Sequence, residues 1–202
     1  FKSQLKGILR ASVYGNVKIM YPMISRVGEI KQANEILEEC KRELKKEGKK
    51  FNEKIQVGAM IEVPSAAVIA DIIAKEVDFM SIGTNDLIQY TMAVDRVNED
   101  VAHLYTPLHP AILRLLKTII DAGHSAGKEV GMCGEMAGDP EYSIVLLGLG
   151  LDEFSMSAVQ IPKIKKIIRS VSKKEAKDLV SDLLNCKSIS EITAMMKRFK
   201  YR

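Results

Sequence analysis

Short apolar, β-branched runs alternate along the chain with longer stretches in which apolar residues recur every three or four positions. That alternation predicts parallel strands joined by helical crossovers. Strands are predicted at Val17–Met23, Ile55–Val63, Val77–Ile82, Glu129–Gly134 and Leu151–Ser157, each flanked by Gly, Pro, Asn or Asp. Their interiors are almost uniformly apolar, which suits strands buried on both faces. Helices are predicted over Arg26–Glu47, Ser65–Lys75, Leu108–Ala126 and Pro140–Leu147, with Gly48 as a stop and with Pro110 and Pro140 in first turns. The last 40 or so residues read as helices alone.

Polar residues collect where these strands end: Glu62, then Thr84-Asn85-Asp86, then Cys133-Gly134-Glu135, then Ser155 and Ser157. In a (β/α)8 barrel that end is the active-site face. Five strands cannot close such a barrel, and 202 residues fall below the ~250 typical of it. The expectation is therefore an α/β chain of the TIM-barrel class covering roughly strands four to eight, with the first three preceding residue 1. An open doubly wound sheet also accommodates five strands. It would normally carry a Gly-rich phosphate loop after its first strand, and Tyr21-Pro22-Met23-Ile24 is not one. No repeat or Pro/Gly/Ser linker divides the chain, so residues 1–202 are expected to form one domain, with the helices of 160–202 belonging to it.

Composition narrows the class further. The chain is 47% apolar and 28% charged, as globular domains are. The longest apolar stretch, near Ile144–Leu151, is far short of the roughly 20 residues of a membrane span. The chain opens on Phe1 rather than Met and shows no export signal, so it is expected to be excised from something longer. Three cysteines, Cys40, Cys133 and Cys186, without metal-ligand spacing fit a reducing compartment, and a cytoplasmic location is expected. The net charge of +4 conceals an asymmetry, because residues 160–202 hold 12 Lys and Arg against 4 Asp and Glu. Without aromatic stacking residues or a helix-turn-helix pattern, this basic end reads as a solvated face rather than a nucleic-acid surface.

The most informative stretch is Ser81-Ile82-Gly83-Thr84-Asn85-Asp86, which passes from a strand end into a helix. Gly83 permits close approach of the backbone. Thr84, Asn85 or Asp86 is expected to cap the helix, whose free N–H groups suit a phosphate. Glu62 ends the preceding strand, and adjacent strand ends lie about 5 Å apart. Two carboxylates facing one mouth repel unless a cation sits between them, which describes a Mg²⁺ site completed by phosphate oxygens and water. Taken singly, each has a plainer reading, as a helix cap or a salt-bridge partner. Arg96 could hold a phosphate bidentately, or simply pair with Asp95 or Asp100. Cys133 lies between glycines at the next strand end. A thiol with an ordinary pKa of about 8.5 is protonated at neutral pH and can donate, although free cysteines are more often buried apolar residues. Cys40 and Cys186 are assigned that plainer role.

The segments Ile82–Arg96 (IGTNDLIQYTMAVDR), Gly131–Pro140 (GMCGEMAGDP) and Gly150–Ser157 (GLDEFSMS) resemble the enzyme I family of the bacterial sugar phosphotransferase system. The likeness extends to the strand VKIMYPM and to GAMIEVPSAA, and so spans essentially the whole chain. It implies a barrel that binds phosphoenolpyruvate, here entered at the helix before its fourth strand. It further implies Glu62 and Asp86 as Mg²⁺ ligands, Asn85 and Asp86 in the phosphate-holding turn, Arg96 on the substrate phosphate, and Cys133 as the proton donor that completes pyruvate. The phosphoryl group would pass to a histidine on a separate N-terminal domain and onward to a small phosphocarrier protein. None of His103, His109 and His124 matches that histidine, and other phosphate-binding arginines of the family lie on strands this chain lacks. The family also dimerises through this region, and unpaired strand edges at 17–23 and 151–157 give a physical reason for self-association. Two other readings share these residues: the barrel of pyruvate phosphate dikinase or phosphoenolpyruvate synthase, and a non-catalytic dimerisation module. The AVDR run and EMAGDP favour enzyme I over the dikinase, and the presence of Glu62, Asp86 and Cys133 argues against a module that has lost its chemistry.

Overall fold

A computed structural model describes residues 1–200, without the side chain of Lys200. Tyr201 and Arg202, the end of the expected basic tail, lie outside the described residues. Five strands form one parallel sheet: β1 (Ile19–Tyr21), β2 (Val57–Ile61), β3 (Phe79–Gly83), β4 (Glu129–Cys133) and β5 (Glu153–Phe154), in the spatial order β1-β2-β3-β4-β5. An order that simply follows the chain has no switch point, which excludes the doubly wound alternative. Crossovers of one hand then place their helices on one side of the sheet.

All five expected strands are present, but shorter than predicted. β1 keeps three of its seven predicted residues and β5 only two. An outer strand has a partner on one side only, so apolar residues at its ends pass into loops.

The chain begins with α1 (Lys2–Ala11), followed by α2 (Val27–Lys46), close to its predicted bounds. The single helix expected over Ser65–Lys75 is instead two short ones, α3 (Pro64–Val68) and α4 (Ala70–Ile73), separated by Ile69 at φ −105° and ψ 26°. After α5 (Thr84–Met92), α6 (Pro110–Ser125) carries the most continuous apolar stripe: Ile112, Leu113, Leu116, Ile119 and Ile120 are all buried. Pro140 does not open a helix. The expected Pro140–Leu147 helix is α8 (Ser143–Leu149), preceded by the short α7 (Glu135–Gly138), because Ser143 rather than Pro140 starts the turn. The basic end folds into α9 (Ile161–Ile168), α10 (Lys173–Asn185) and α11 (Ile189–Lys200).

α10 lies so close to α8 that a Cβ on Gly148 would fall 2.1 Å from the Ala176 carbonyl oxygen. No helix among the described residues is long and apolar enough to cross a membrane.

The end of the sheet opposite the polar residues is closed by a repeated device. Asp78, just before β3, accepts the Val57 N–H of β2, and Asp152, just before β5, accepts the Val130 N–H of β4. His124 adds its Nε2 to Asp152 at 2.8 Å, and His109 caps α6 by accepting the Ala111 N–H. Both histidines thus serve structural contacts, and His103 is exposed on a short 3-10 turn. Cys40 and Cys186 are buried, and burial pushes both thiols up.

Candidate active site

Strand register decides which residues meet. Ile61 pairs with Ile82 and Gly83 with Cys133, while Met132 pairs with Phe154. One residue further along, Glu62, Gly83, Cys133 and Ser155 stand at one level across the sheet. The polar strand ends therefore form a single row.

Glu62 is 4% exposed. Its Oε1 accepts the Met23 N–H at 2.7 Å, an unusual donor because Met23 has φ 55°, in the left-handed region that bulky residues avoid. A Cβ on Gly83 would lie 2.5 Å from Glu62 Oε2, so only glycine leaves room for this carboxylate. Burial raises the Glu62 carboxyl above its ordinary value. The Met23 N–H opposes that shift, and Asp86 beside it adds to it. Two carboxylates brought together, one of them buried, form an arrangement that a divalent cation relieves, and hard oxygen donors suit Mg²⁺. Among the described residues no group of three or more His, Cys, Asp or Glu is placed to hold a metal ion.

The expected side-chain cap of α5 is absent, which corrects the reading of its start. Gly83 is the N-cap residue and no side chain bonds there. Two of the three candidate side chains are engaged across the mouth instead: Thr84 Oγ1 donates to the Cys133 carbonyl at 3.2 Å, and Asn85 Oδ1 accepts the Glu135 N–H at 3.1 Å. Among the described residues the opening N–H groups of α5 have no side-chain partner, the arrangement that favours an anion.

At its other end α5 stops at Ala93, whose φ of 54° turns the chain back. Gln89 Oε1 accepts the Arg96 N–H, anchoring that residue. The Arg96 side chain pairs with neither Asp95 nor Asp100. Its NH1 reaches Glu135 Oε1 at 3.3 Å.

Cys133 is half-buried at the end of β4. Its Sγ lies 3.8 Å from both Ser81 Oγ and the Ile82 carbonyl oxygen. With Asn85 and Glu135 it lines an open cleft of about 730 Å³ that continues past Asp139, Ser155 and Ser157 to Lys163. Glu62, Asp86 and Arg96 do not line that cleft, so the five expected positions are drawn to one mouth but not into one cavity.

Three participants escaped the sequence reading. Met23 gave no signal, since a left-handed non-glycine is a property of the folded backbone. Glu135 stands among the polar strand-end residues, but the sequence reading assigns it no role. Tyr105 stands half-buried near the same charges: burial raises its phenol, Arg96 opposes that, and Glu135 and Asp86 add to it.

The PEP-utilising enzyme, PEP-binding domain family matches residues 1–173. Among curated relatives, phosphoenolpyruvate-protein phosphotransferase of Haemophilus influenzae is 53% identical over 98% of this chain, and that of Priestia megaterium 56% identical over the same share. The chain spans about a third of the length of these relatives, 34% of each. A citrate lyase structure from Burkholderia xenovorans, TIM-barrel-like in fold, superposes with a TM-score of 0.61 at 16% identity, over 99% of this chain and 68% of that one.

Proposed function

Because the chain belongs to the PEP-utilising enzyme, PEP-binding domain family, we propose that it is the phosphoenolpyruvate-binding part of a phosphotransferase of the enzyme I type, supplying strands four to eight of a (β/α)8 barrel. The observation that carries this reading is the buried Glu62 carboxylate set against Asp86, in the row of strand ends that also holds Cys133. The phosphotransferase names of the curated relatives support it over the dikinase reading. The retained carboxylates and thiol support it over a non-catalytic module.

In this proposal Glu62 and Asp86 would hold Mg²⁺, which would supply positive charge to offset the negative charge of the transferring phosphoryl group. Asn85 and the opening N–H groups of α5 seat the phosphate. Arg96 keeps guanidinium donors free beyond the single one it gives Glu135, so it can bind phosphate oxygens as well. The phosphoryl group passes in line to a histidine on another domain of the longer protein, since His103, His109 and His124 lie in other settings. The P–O bond to the enol oxygen breaks and the electron pair stays with the enolate. Cys133 then gives its proton to the terminal carbon: S–H breaks, C–H forms, and the thiolate recovers a proton from solvent through the cleft. Catalysis is thus positioning and electrostatics, followed by one proton transfer. The remaining partners of this reading are a small phosphocarrier protein, reached through the N-terminal domain, and a second copy of the chain.

Calorimetric titration with phosphoenolpyruvate, with and without Mg²⁺, tests the site. Binding that requires Mg²⁺ and disappears in Glu62→Ala is expected. Binding indifferent to both would refute the assignment. Absence of binding by the unaltered chain would place essential contacts on preceding strands, to be checked by the same titration on a longer chain.

A further inference from the structure

The turn Cys133-Gly134-Glu135 makes three separate bonds to the segment 84–96. The Cys133 carbonyl accepts Thr84 Oγ1, the Glu135 N–H donates to Asn85 Oδ1, and Glu135 Oε1 accepts Arg96 NH1. Gly134 makes this closeness possible. Its φ of 102° is one that glycine alone adopts readily, and a Cβ there would stand 2.6 Å from Thr84 Oγ1 and 3.0 Å from Asn85 Oδ1. Two of the bonds use the backbone of the turn, so they fix where Glu135 starts whatever its side chain does. The side chain then extends to Arg96, which no other carboxylate engages among the described residues. The contact uses one nitrogen only and leaves the rest of the guanidinium fork available.

We propose that Glu135 is a positioning residue: it orients Arg96 for an anionic substrate and ties that orientation to the turn carrying Cys133. The inference rests on the phosphoenolpyruvate site proposed above and extends it to a residue with no contact role there. Glu135 and Arg96 lie partly in water, with 80% and 36% of their side chains exposed. The effect on binding is therefore modest, as for exposed ion pairs, at about fivefold.

The test is a double-mutant cycle with Glu135→Ala and Arg96→Ala, read by calorimetric titration of this chain with phosphoenolpyruvate and Mg²⁺. Glu135→Ala is expected to weaken binding about fivefold, Glu135→Asp to recover part of the loss, and Glu135→Ala in the Arg96→Ala background to cost nothing further. An equal loss in both backgrounds would overturn the proposal, because Glu135 would then act without Arg96. Tighter binding by Glu135→Ala would also overturn it, since the carboxylate would be competing with the substrate phosphate. If Arg96→Ala binds as the unaltered chain does, the site assignment itself fails. The same cycle read by thermal melting without ligand addresses the pair alone: a coupling between the two substitutions is expected, and its absence would overturn the inference even where no ligand binds.

Discussion

Gly83→Ala isolates the steric basis of the site. The added methyl would sit 2.5 Å from Glu62 Oε2, 2.8 Å from Glu62 Cβ and 3.0 Å from Met60 Sδ. Gly83 has φ −87°, which alanine adopts freely, so the cost is contact rather than backbone strain. Glu62 cannot swing aside without giving up the 2.7 Å bond from the Met23 N–H, and β2 cannot retreat without loosening its ladder to β3. Overpacking costs about 1–3 kcal/mol. A buried hydrogen bond to a charged group contributes about 1.5–3 kcal/mol. Relaxation trades one cost against the other, so a net loss of about 1–3 kcal/mol is expected. For a chain of this size that corresponds to a melting temperature lower by roughly 2–12 °C. Urea denaturation measures the loss directly, and Mn²⁺ titration measures the displaced carboxylate as weakened metal binding. Repeating the substitution in a Glu62→Ala background removes the Oε2 contact, leaves those to Cβ and Met60 Sδ, and should recover part of the cost. A loss below about 0.5 kcal/mol, or one equal in both backgrounds, would refute the claim that Gly83 is there to admit Glu62.

Three further outcomes are expected. Gly148→Ala drives a methyl to 2.1 Å from the Ala176 carbonyl oxygen and 2.6 Å from Val180 Cγ2, so α10 should detach first; faster amide exchange in α10 than in α6 would show it, and unchanged exchange would count against the close packing of α8 and α10. The Glu29 carboxyl is held below its ordinary value chiefly by the Ser25 N–H, with the Ser25 hydroxyl and the Arg26 N–H adding to it. A lowered folded pKa means stability present above the unfolded value and lost as pH falls through the folded one. Glu29→Gln should therefore melt earlier than the unaltered chain at pH 7 and alongside it in acid, a comparison that equal melting at pH 7 would defeat. If the proposed function holds, Cys133→Ser in a phosphotransferase that contains this chain should keep phosphoenolpyruvate affinity and slow pyruvate formation at least tenfold; unchanged turnover would remove the thiol from the proton step.

Periodicity and strand-end chemistry were enough to foresee five parallel strands, the long helices α2 and α6, and the gathering of Glu62, Asn85, Asp86 and Cys133 at one end of the sheet, because both signals are local. A buried strand must be apolar throughout, an amphipathic helix must repeat every 3.6 residues, and polar residues in such a sheet are tolerated only where the strands end. What each side chain bonds to was not local. Thr84 and Asn85 have the chemistry of helix caps, yet both reach across to the Cys133–Glu135 turn, because the pairing of β3 with β4 brings that turn within hydrogen-bond distance. Arg96 has aspartates one and four residues away and pairs with a glutamate 39 positions on. The left-handed Met23 likewise gives its N–H to Glu62, 39 positions on. The amino-acid sequence by itself determined which elements form and which end of the sheet is polar. The tertiary structure alone decided which atoms meet there, since hydrogen bonds and steric contacts are made at a few ångströms between segments that only strand register brings together.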